Sequence, residues 1–468
     1  MKALRCLVLA CVLAPVPASV AAAQARDIDF AALRDETVKV MSEYLRINTT
    51  NPPGNELRSA RFLQAFLARE GIEGQILDTV ELGAGRANFY ARLKGNGSAK
   101  ALALVQHMDV VPANRELWSV DPFSGAVQGG EVWGRGALDM KGQGIIHLMT
   151  MVALKRAGVH LTRDLVLIAN ADEEVEGSGA AVFVKRHPEL IRDVEFLITE
   201  GGHSLVEKGK LRYYGLSVGE KRAYWMKITA KGTPSHGSQP TKDNPVPKIA
   251  RAVARLAAWE TPVRVLPAVD QFFKAAARAE RGEHRAWLSD VRAGLRSPRS
   301  RAWILGDPYR NAILRNTVTP TVLRGAKATN IIPPSAEAEI DVRLLPDVDT
   351  ARFTREMTRV IGDPDVTLEA LPGVQPSYSA PLGTAVTRAA AQVLARLRPG
   401  IPIATPLDAG ATDRPTYAQT GILAYGIEPF LVESADELKQ VHGNDERISI
   451  ANIEFGLTLF VGLVRAMQ

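Results

Sequence analysis

The acids and imidazoles that could do chemistry in this chain stand where apolar runs stop. His107-Met108-Asp109 follows the run Ala101–Gln106, Asp172-Glu173-Glu174 follows Leu165–Ala171, and Glu200 follows Val194–Thr199. A hydrolytic centre built on two cations needs several hard oxygen or nitrogen ligands, one group shared between the metals, and a further carboxylate free to deprotonate water. In an extended segment, residues i and i+2 face the same way, so Asp109 can accept the second ring N–H of His107 and fix its tautomer. Asp139 stands thirty residues beyond Asp109, in Gly134-Arg135-Gly136-Ala137-Leu138-Asp139-Met140-Lys141-Gly142. The glycines there allow tight turns just before a helix, and a carboxylate so placed can offer one oxygen to each of two cations.

The three acids Asp172, Glu173 and Glu174 would repel and raise one another's pKa without positive charge among them. Alone, an exposed acidic turn capping the helix from Ser178 explains them equally well; beside Glu200 and His107, the metal reading prevails. His236, in Gly232-Thr233-Pro234-Ser235-His236-Gly237, and His442, in Val441-His442-Gly443-Asn444-Asp445-Glu446, lie in Gly-rich polar loops open to a ligand. His147, His160, His187, His203 and His284 lack such surroundings and read as structural or surface residues. A serine nucleophile is disfavoured, because Ser178 follows Glu176-Gly177 and lacks the first glycine of a nucleophile elbow.

The elements that must position these groups are short apolar runs alternating with helical patterns, which predicts an open α/β sheet. The three runs above are its buried strands, and Gly144–Gly158 and Ser178–His187 the helices between them. Ligands of such sheets bind beyond the carboxyl ends of the strands, where the acids stand. From about Leu216 the texture changes. Lys221–Ala230 reads as a strand, Pro245–Trp259 as an amphipathic helix, Val318–Gly325 and Glu337–Leu344 as strands, Thr350–Ile361 as a helix and Val366–Ala370 as a strand. That β-α-β-β-α-β order is a ferredoxin-like unit. It is interrupted by a charge-rich helical insert, Pro262 to Asn316. Helices Leu382–Arg396 and Ala451–Met467 return to the first pattern, so residues 26–215 and 374–468 are expected to form one domain and 216–373 a smaller one inserted into it.

With 468 residues, 46% hydrophobic and 23% charged, the chain has material for a sizeable core. Lys2 and Arg5, an apolar stretch from Leu7 to Leu13 and the small residues to Ala25 form an expected signal peptide, with cleavage before Gln24 or Arg26. The product would be exported, periplasmic or secreted; Cys11 only loosely fits a lipoprotein acceptor. Both cysteines, Cys6 and Cys11, lie in that leader, so a metal site must use His and carboxylates. No run approaches the ~20 apolar residues of a membrane span. The formal charge is +6, and the basic residues of Arg278–Arg301 are mixed with Glu280, Glu283 and Asp290, which reads as a solvated helical face rather than a nucleic-acid site.

Taken together, His107–Pro112, Trp133–Gln143, Asn170–Ala180, Leu197–Gly202, Lys231–Pro240 and Val441–Ser449 resemble the co-catalytic zinc metallopeptidases that include aminoacylase, glutamate carboxypeptidase, acetylornithine deacetylase and succinyl-diaminopimelate desuccinylase. The resemblance spans essentially the whole mature chain. It implies two Zn2+ per chain (Co2+ and Mn2+ accept similar ligands), one on His107, Asp139 and Glu200, the other on Asp139, Glu174 and His442, with Asp139 shared. It further implies that Glu173 is the general base, that Asp109 orients His107, and that His236 extends from a lid and dimerisation domain to stabilise the oxyanion, often in the partner subunit. The smaller domain is then that lid, and the protein a homodimer. Glu at position 200 resembles the aminoacylase and carboxypeptidase branches, which implies an N-acyl amino acid or a peptide C-terminus as substrate; a dipeptidase is the alternative, and a binding protein on the same fold would have gaps in the ligand set. For the substrate's free carboxylate, Arg343 and Arg414 are candidates, with Asn330 lining the same cleft; for Arg343 an ordinary strand salt bridge is an equal reading. The basic insert resembles the larger carboxypeptidase and N-fatty-acyl amino acid hydrolase branch, implying a bulky or lipophilic acyl group.

Overall fold

The computed structural model describes residues 27–207, 210–373, 376–431, 437 and 439–468. The expected signal peptide, residues 1–25, lies outside the described residues. The larger sheet has six strands: β1 (Gly74–Leu77), β2 (Asn88–Leu93), β3 (Ala99–His107), β4 (Arg163–Asn170), β5 (Val194–Thr199) and β6 (Leu423–Gly426), in the order β1-β2-β4-β3-β5-β6. The four strands from β4 to β6 run parallel, and β1 and β2 are antiparallel at one edge. The last seven residues of β3 are all buried, as a strand covered on both faces requires. Leu102 and Leu104 point to one side, against helices Phe30–Leu45, Lys141–Arg156 and Ile450–Ala466. Ala101, Ala103 and Val105 point to the other, against Phe183 of helix Ser178–Arg186 and Tyr417. Period-2 alternation thus gives the sheet two apolar faces and leaves the strand ends to carry polar groups.

A second sheet, made by Arg222–Ala223, Met226–Lys231, Thr317–Arg324, Ser335–Leu344 and Val366–Ala370, has ferredoxin-like connectivity. Met226–Lys231 pairs antiparallel with both Ser335–Leu344 and Val366–Ala370, and Thr317–Arg324 flanks Ser335–Leu344. Ser335–Leu344 alternates strictly between buried and half-buried or exposed positions, and its inner residues Ala338, Ile340 and Val342 pack on helices Pro245–Ala257 and Thr350–Ile361. The expected single strand Lys221–Ala230 is broken: Arg222–Ala223 and Met226–Lys231 pair with separate parts of Ser335–Leu344. Between them Trp225 turns outward and is 39% exposed.

The insert folds into five short helices, three of which open with proline at the first turn, where its missing N–H costs nothing. It is more than a solvated face, because Phe272, Phe273 and Ile304 pack with Tyr213, Ala404 and Leu407 of the short strands Lys210–Gly215, Ile403–Ala404 and Leu407–Asp408. No described helix is long and apolar enough to cross a membrane.

Candidate active site

The carboxyl ends of β3, β4 and β5 deliver His107, the Asp172-Glu173-Glu174 turn and Glu200 to one place, and two loops bring Asp139 and His442 to meet them. His107 Nε2 lies 3.1 Å from Asp139 Oδ1 and 3.9 Å from Glu200 Oε2. His442 Nε2 lies 3.0 Å from Asp139 Oδ2 and 3.1 Å from Glu174 Oε2. Each oxygen of Asp139 therefore faces a different imidazole, and the groups divide into two sets that share one carboxylate. Ligand atoms of His107, Asp139 and Glu174 all fall within 4.8 Å of one another, as do those of His107, Glu173 and Glu200.

Asp109 supports two of these groups at once. His107 Nδ1 is 3.0 Å from the Asp109 carbonyl oxygen and 3.5 Å from its carboxylate, which leaves Nε2 to face the site. The same carboxylate accepts the backbone N–H groups of Glu173 at 3.0 Å and Glu174 at 3.1 Å, fixing the turn that carries both glutamates. Asp172 adopts φ of 60° at the start of that turn. Below it, Asn51 Nδ2 donates to Asp109 and to Asp172, each at 2.8 Å, and Arg86 pairs with Asp172 and the buried Glu56.

The electrostatics report unmet negative charge. Burial, then the charge of Glu200, pushes Glu173 well above the ordinary carboxylate range; burial and Asp139 do the same to Glu200 and, less strongly, to Glu174. Burial also pushes the neighbouring Asp413 up to about 6. Burial opposes ionisation of Asp139 too, but hydrogen bonds from His107 and His442 hold it low. Hydrogen bonds to Asp139 and Glu174 push His442 up to about 10. Glu174 Oε1 is buried without a hydrogen-bond partner among the described residues. An orphaned carboxylate oxygen within a crowd of acids is what divalent cations would satisfy, and His and carboxylate donors fit them.

The site opens into a cavity of about 1030 Å³ whose wall continues from the strand ends onto the second sheet, through Ala223, Trp225, Glu339 and Arg343, and onto Tyr309 of the insert. Arg343 reaches the cavity; its guanidinium is bidentate to Asp341 at 2.7 and 3.2 Å and lies 5.7 Å from the Trp225 ring centre. Two expectations are corrected. Arg414 does not line the cavity: it is fully buried and its guanidinium is spent on Glu220, Asp408, Ser217 and Thr412. Asn330 does not line it either, since it lies exposed on the second sheet's side, its carbonyl accepting Gly237 N–H. His236 stands next to it, exposed and outside this chain's cavity. Two groups were missed. His203 lines the cavity, paired at 2.7 Å with Glu428, and its place three residues beyond Glu200 after two glycines was the available signal. Asn51 gave none beyond a turn-forming Asn-Pro-Pro-Gly stretch.

Residues 103–466 match the family model described as peptidase family M20/M25/M40. The chain belongs to this family. It is 28% identical over 390 residues to the human N-fatty-acyl-amino acid synthase/hydrolase PM20D1, covering 79% of this chain and 74% of that one. It is 26% identical over 445 residues to human aminoacylase-1, covering 92% and 95%. In fold it is similar to an M20 family metallo-carboxypeptidase from Sulfolobus solfataricus, with a TM-score of 0.70 at 19% identity over 92% of this chain and 99% of that one. This M20 chain is thus a hydrolase of amide bonds from a metal-dependent family, and it carries a candidate metal-binding group at its strand ends.

Proposed function

We propose that the chain hydrolyses the amide bond of N-acyl amino acids or of the C-terminal residue of peptides, using two divalent cations. The observation that carries the reading is Asp139, whose two oxygens face two imidazoles at 3.1 and 3.0 Å. His107, Asp139 and Glu200 would hold one cation and Asp139, Glu174 and His442 the other. When bound, the cations polarise the scissile carbonyl and acidify a water. Glu173, with its backbone N–H pinned by Asp109, takes the water's proton and delivers it to the departing nitrogen.

Arg343 is the anchor for the substrate's carboxylate, with part of its charge already offset by Asp341. The exposed faces of Trp225 and Val175, 39% and 44% accessible, favour a bulky apolar acyl group, as does the size of the cavity. The second sheet acts as a lid, residues 216–373 forming a separate domain. His236, which does not reach this chain's cavity, serves the cavity of a second copy in a homodimer, where its N–H stabilises the oxyanion. The leader-like residues 1–25 support export to the periplasm or the exterior. Zinc is the assigned metal.

The test is a panel of N-acyl amino acids and dipeptides incubated with the purified protein, with chelator and then zinc add-back, alongside elemental analysis. Release of free amino acid from acylated substrates that chelator abolishes and zinc restores is the expected result. Turnover of dipeptides alone would replace the substrate assignment, and a protein that takes up no metal would overturn the mechanism.

A further inference from the structure

Asp139 and His442 are 303 residues apart in sequence, yet their side chains meet at 3.0 Å. Neither lies on a regular element, so something must set the two loops against each other. Glu446, four residues beyond His442, does this with its backbone and both carboxylate oxygens. Its carbonyl accepts Gly134 N–H at 2.9 Å. Oε2 accepts Gly136 N–H at 2.9 Å and Arg135 Nη1 at 2.8 Å; Oε1 accepts Leu138 N–H at 2.7 Å and Asp139 N–H at 3.0 Å. The side chain is wholly buried, and Arg135 returns from the same loop to the carbonyl of Gly443. One carboxylate thus gathers the N–H groups of the Asp139 loop onto the loop that carries His442.

We propose that Glu446 is a positioning residue for the cation pair, fixing the shared carboxylate of Asp139 against His442; this rests on the two-cation reading above. The requirement is for a carboxylate. All four side-chain contacts are donors, two to each oxygen, so an acceptor is needed at both positions. A glutamine of the same shape must turn its NH2 group toward one pair of donors, either Leu138 and Asp139 or Gly136 and Arg135. The Asp139 loop then has to move away to relieve the clash.

The experiment compares wild type, Glu446→Gln and Ser119→Ala by competitive zinc titration against a chromophoric chelator and by the visible spectrum of the cobalt-loaded protein. Ser119 binds the neighbouring Asp445 through its N–H and hydroxyl, both at 2.7 Å, so its substitution loosens the same loop without touching the Asp139 N–H groups. Glu446→Gln should weaken the site holding Asp139 and His442 by about 10- to 100-fold, as loss of outer partners of metal ligands does, and should alter the cobalt bands. Ser119→Ala should keep wild-type affinity and spectrum. Should Glu446→Gln fail to accumulate folded, Glu446→Asp is measured instead. Its carboxylate is one methylene short of spanning both donor pairs, so the same loss is expected. A folded Glu446 variant with unchanged affinity and spectrum, or equal losses in Ser119→Ala, would overturn the positioning role. Failure of wild type to bind any cation would instead remove the two-cation reading itself.

Discussion

Replacing Asp109 by asparagine changes one oxygen to an amide nitrogen and should cripple the site from beneath. The wild-type carboxylate receives Glu173 N–H on Oδ1 and Glu174 N–H on Oδ2, and Oδ2 also receives Asn51 Nδ2. Asparagine has one acceptor oxygen, so at least one of the two backbone N–H groups must face a donor. A hydrogen bond to a charged group is worth about 1.5–3 kcal/mol, and losing one converts to roughly 10- to 100-fold in an equilibrium constant. The loss falls on the turn carrying Glu173 and Glu174 and on the tautomer of His107, so it should appear in metal affinity and in kcat together. The assay is zinc affinity by chelator competition, then initial rates at saturating zinc to separate occupancy from chemistry. Wild-type affinity and kcat in a folded Asp109→Asn protein would refute the claim that this carboxylate organises the turn.

Glu173→Gln should retain its cations by elemental analysis yet lose about 10²- to 10⁴-fold in kcat, the usual share of a general base, because only the proton carrier has gone. Arg343→Met should raise KM for substrates with a free carboxylate by about 10-fold or more, with little change for the corresponding amides. Equal effects on both substrate types would remove the anchor role. Arg414→Met should act on stability instead: Glu220 and Asp408 would lose their shared cation, at a cost of about 3–5 kcal/mol, read by urea unfolding, while KM stays near wild type. In chelator, the melting temperature should fall from about pH 5 to about pH 8. Burial pushes His147, Lys141 and Lys221 down to about 3, 7 and 7, but they are outnumbered. Glu173, Glu174 and Glu200 lie above their ordinary value of 4.5 and His107 and His442 above 6.5, so these five groups bind more protons folded than unfolded across that window. Their stabilisation is complete at low pH and drains as pH rises; zinc should abolish the trend, and a flat or rising profile in chelator would contradict the raised values.

Much of the site was legible because strand ends are legible. An apolar run must stop before a charged group, so His107, Asp172–Glu174 and Glu200 announce three strand termini and their shared edge of the sheet. The helix and strand order of the second sheet was equally plain, since Thr350–Ile361 and Val366–Ala370 have the expected limits and Ser335–Leu344 starts only two residues early. What could not be read is which way a residue points when no periodicity governs it. Arg414 follows Asp413 directly, but Asp413 bonds to Asn170 at the strand end while Arg414 turns inward to Glu220 and Asp408. Asn51 and Glu446 stand in polar stretches, Asn48–Asn51 and Asn444–Arg447, where nothing sets them apart from their neighbours, and their importance comes from N–H groups and carboxylates brought to them only by the folded chain. His203 looked incidental for the same reason, its partner Glu428 lying across the cavity wall.

Helix Ile450–Ala466 packs against both Phe30–Leu45 and Lys141–Arg156, and only the short strand Arg447–Ser449 separates it from the loop that brings His442 to Asp139. Its docking therefore joins the earliest described helix to the loop that carries His442. A chain emerging from its N-terminal side exposes His107, Asp139, Glu173, Glu174 and Glu200 well before His442, so the side of Asp139 that faces His442 stays open until residues 442–466 have followed. On the two-cation reading, capture of the second cation would then report that this helix has docked, since a fragment cut short before residue 442 lacks one of the two imidazoles that face Asp139.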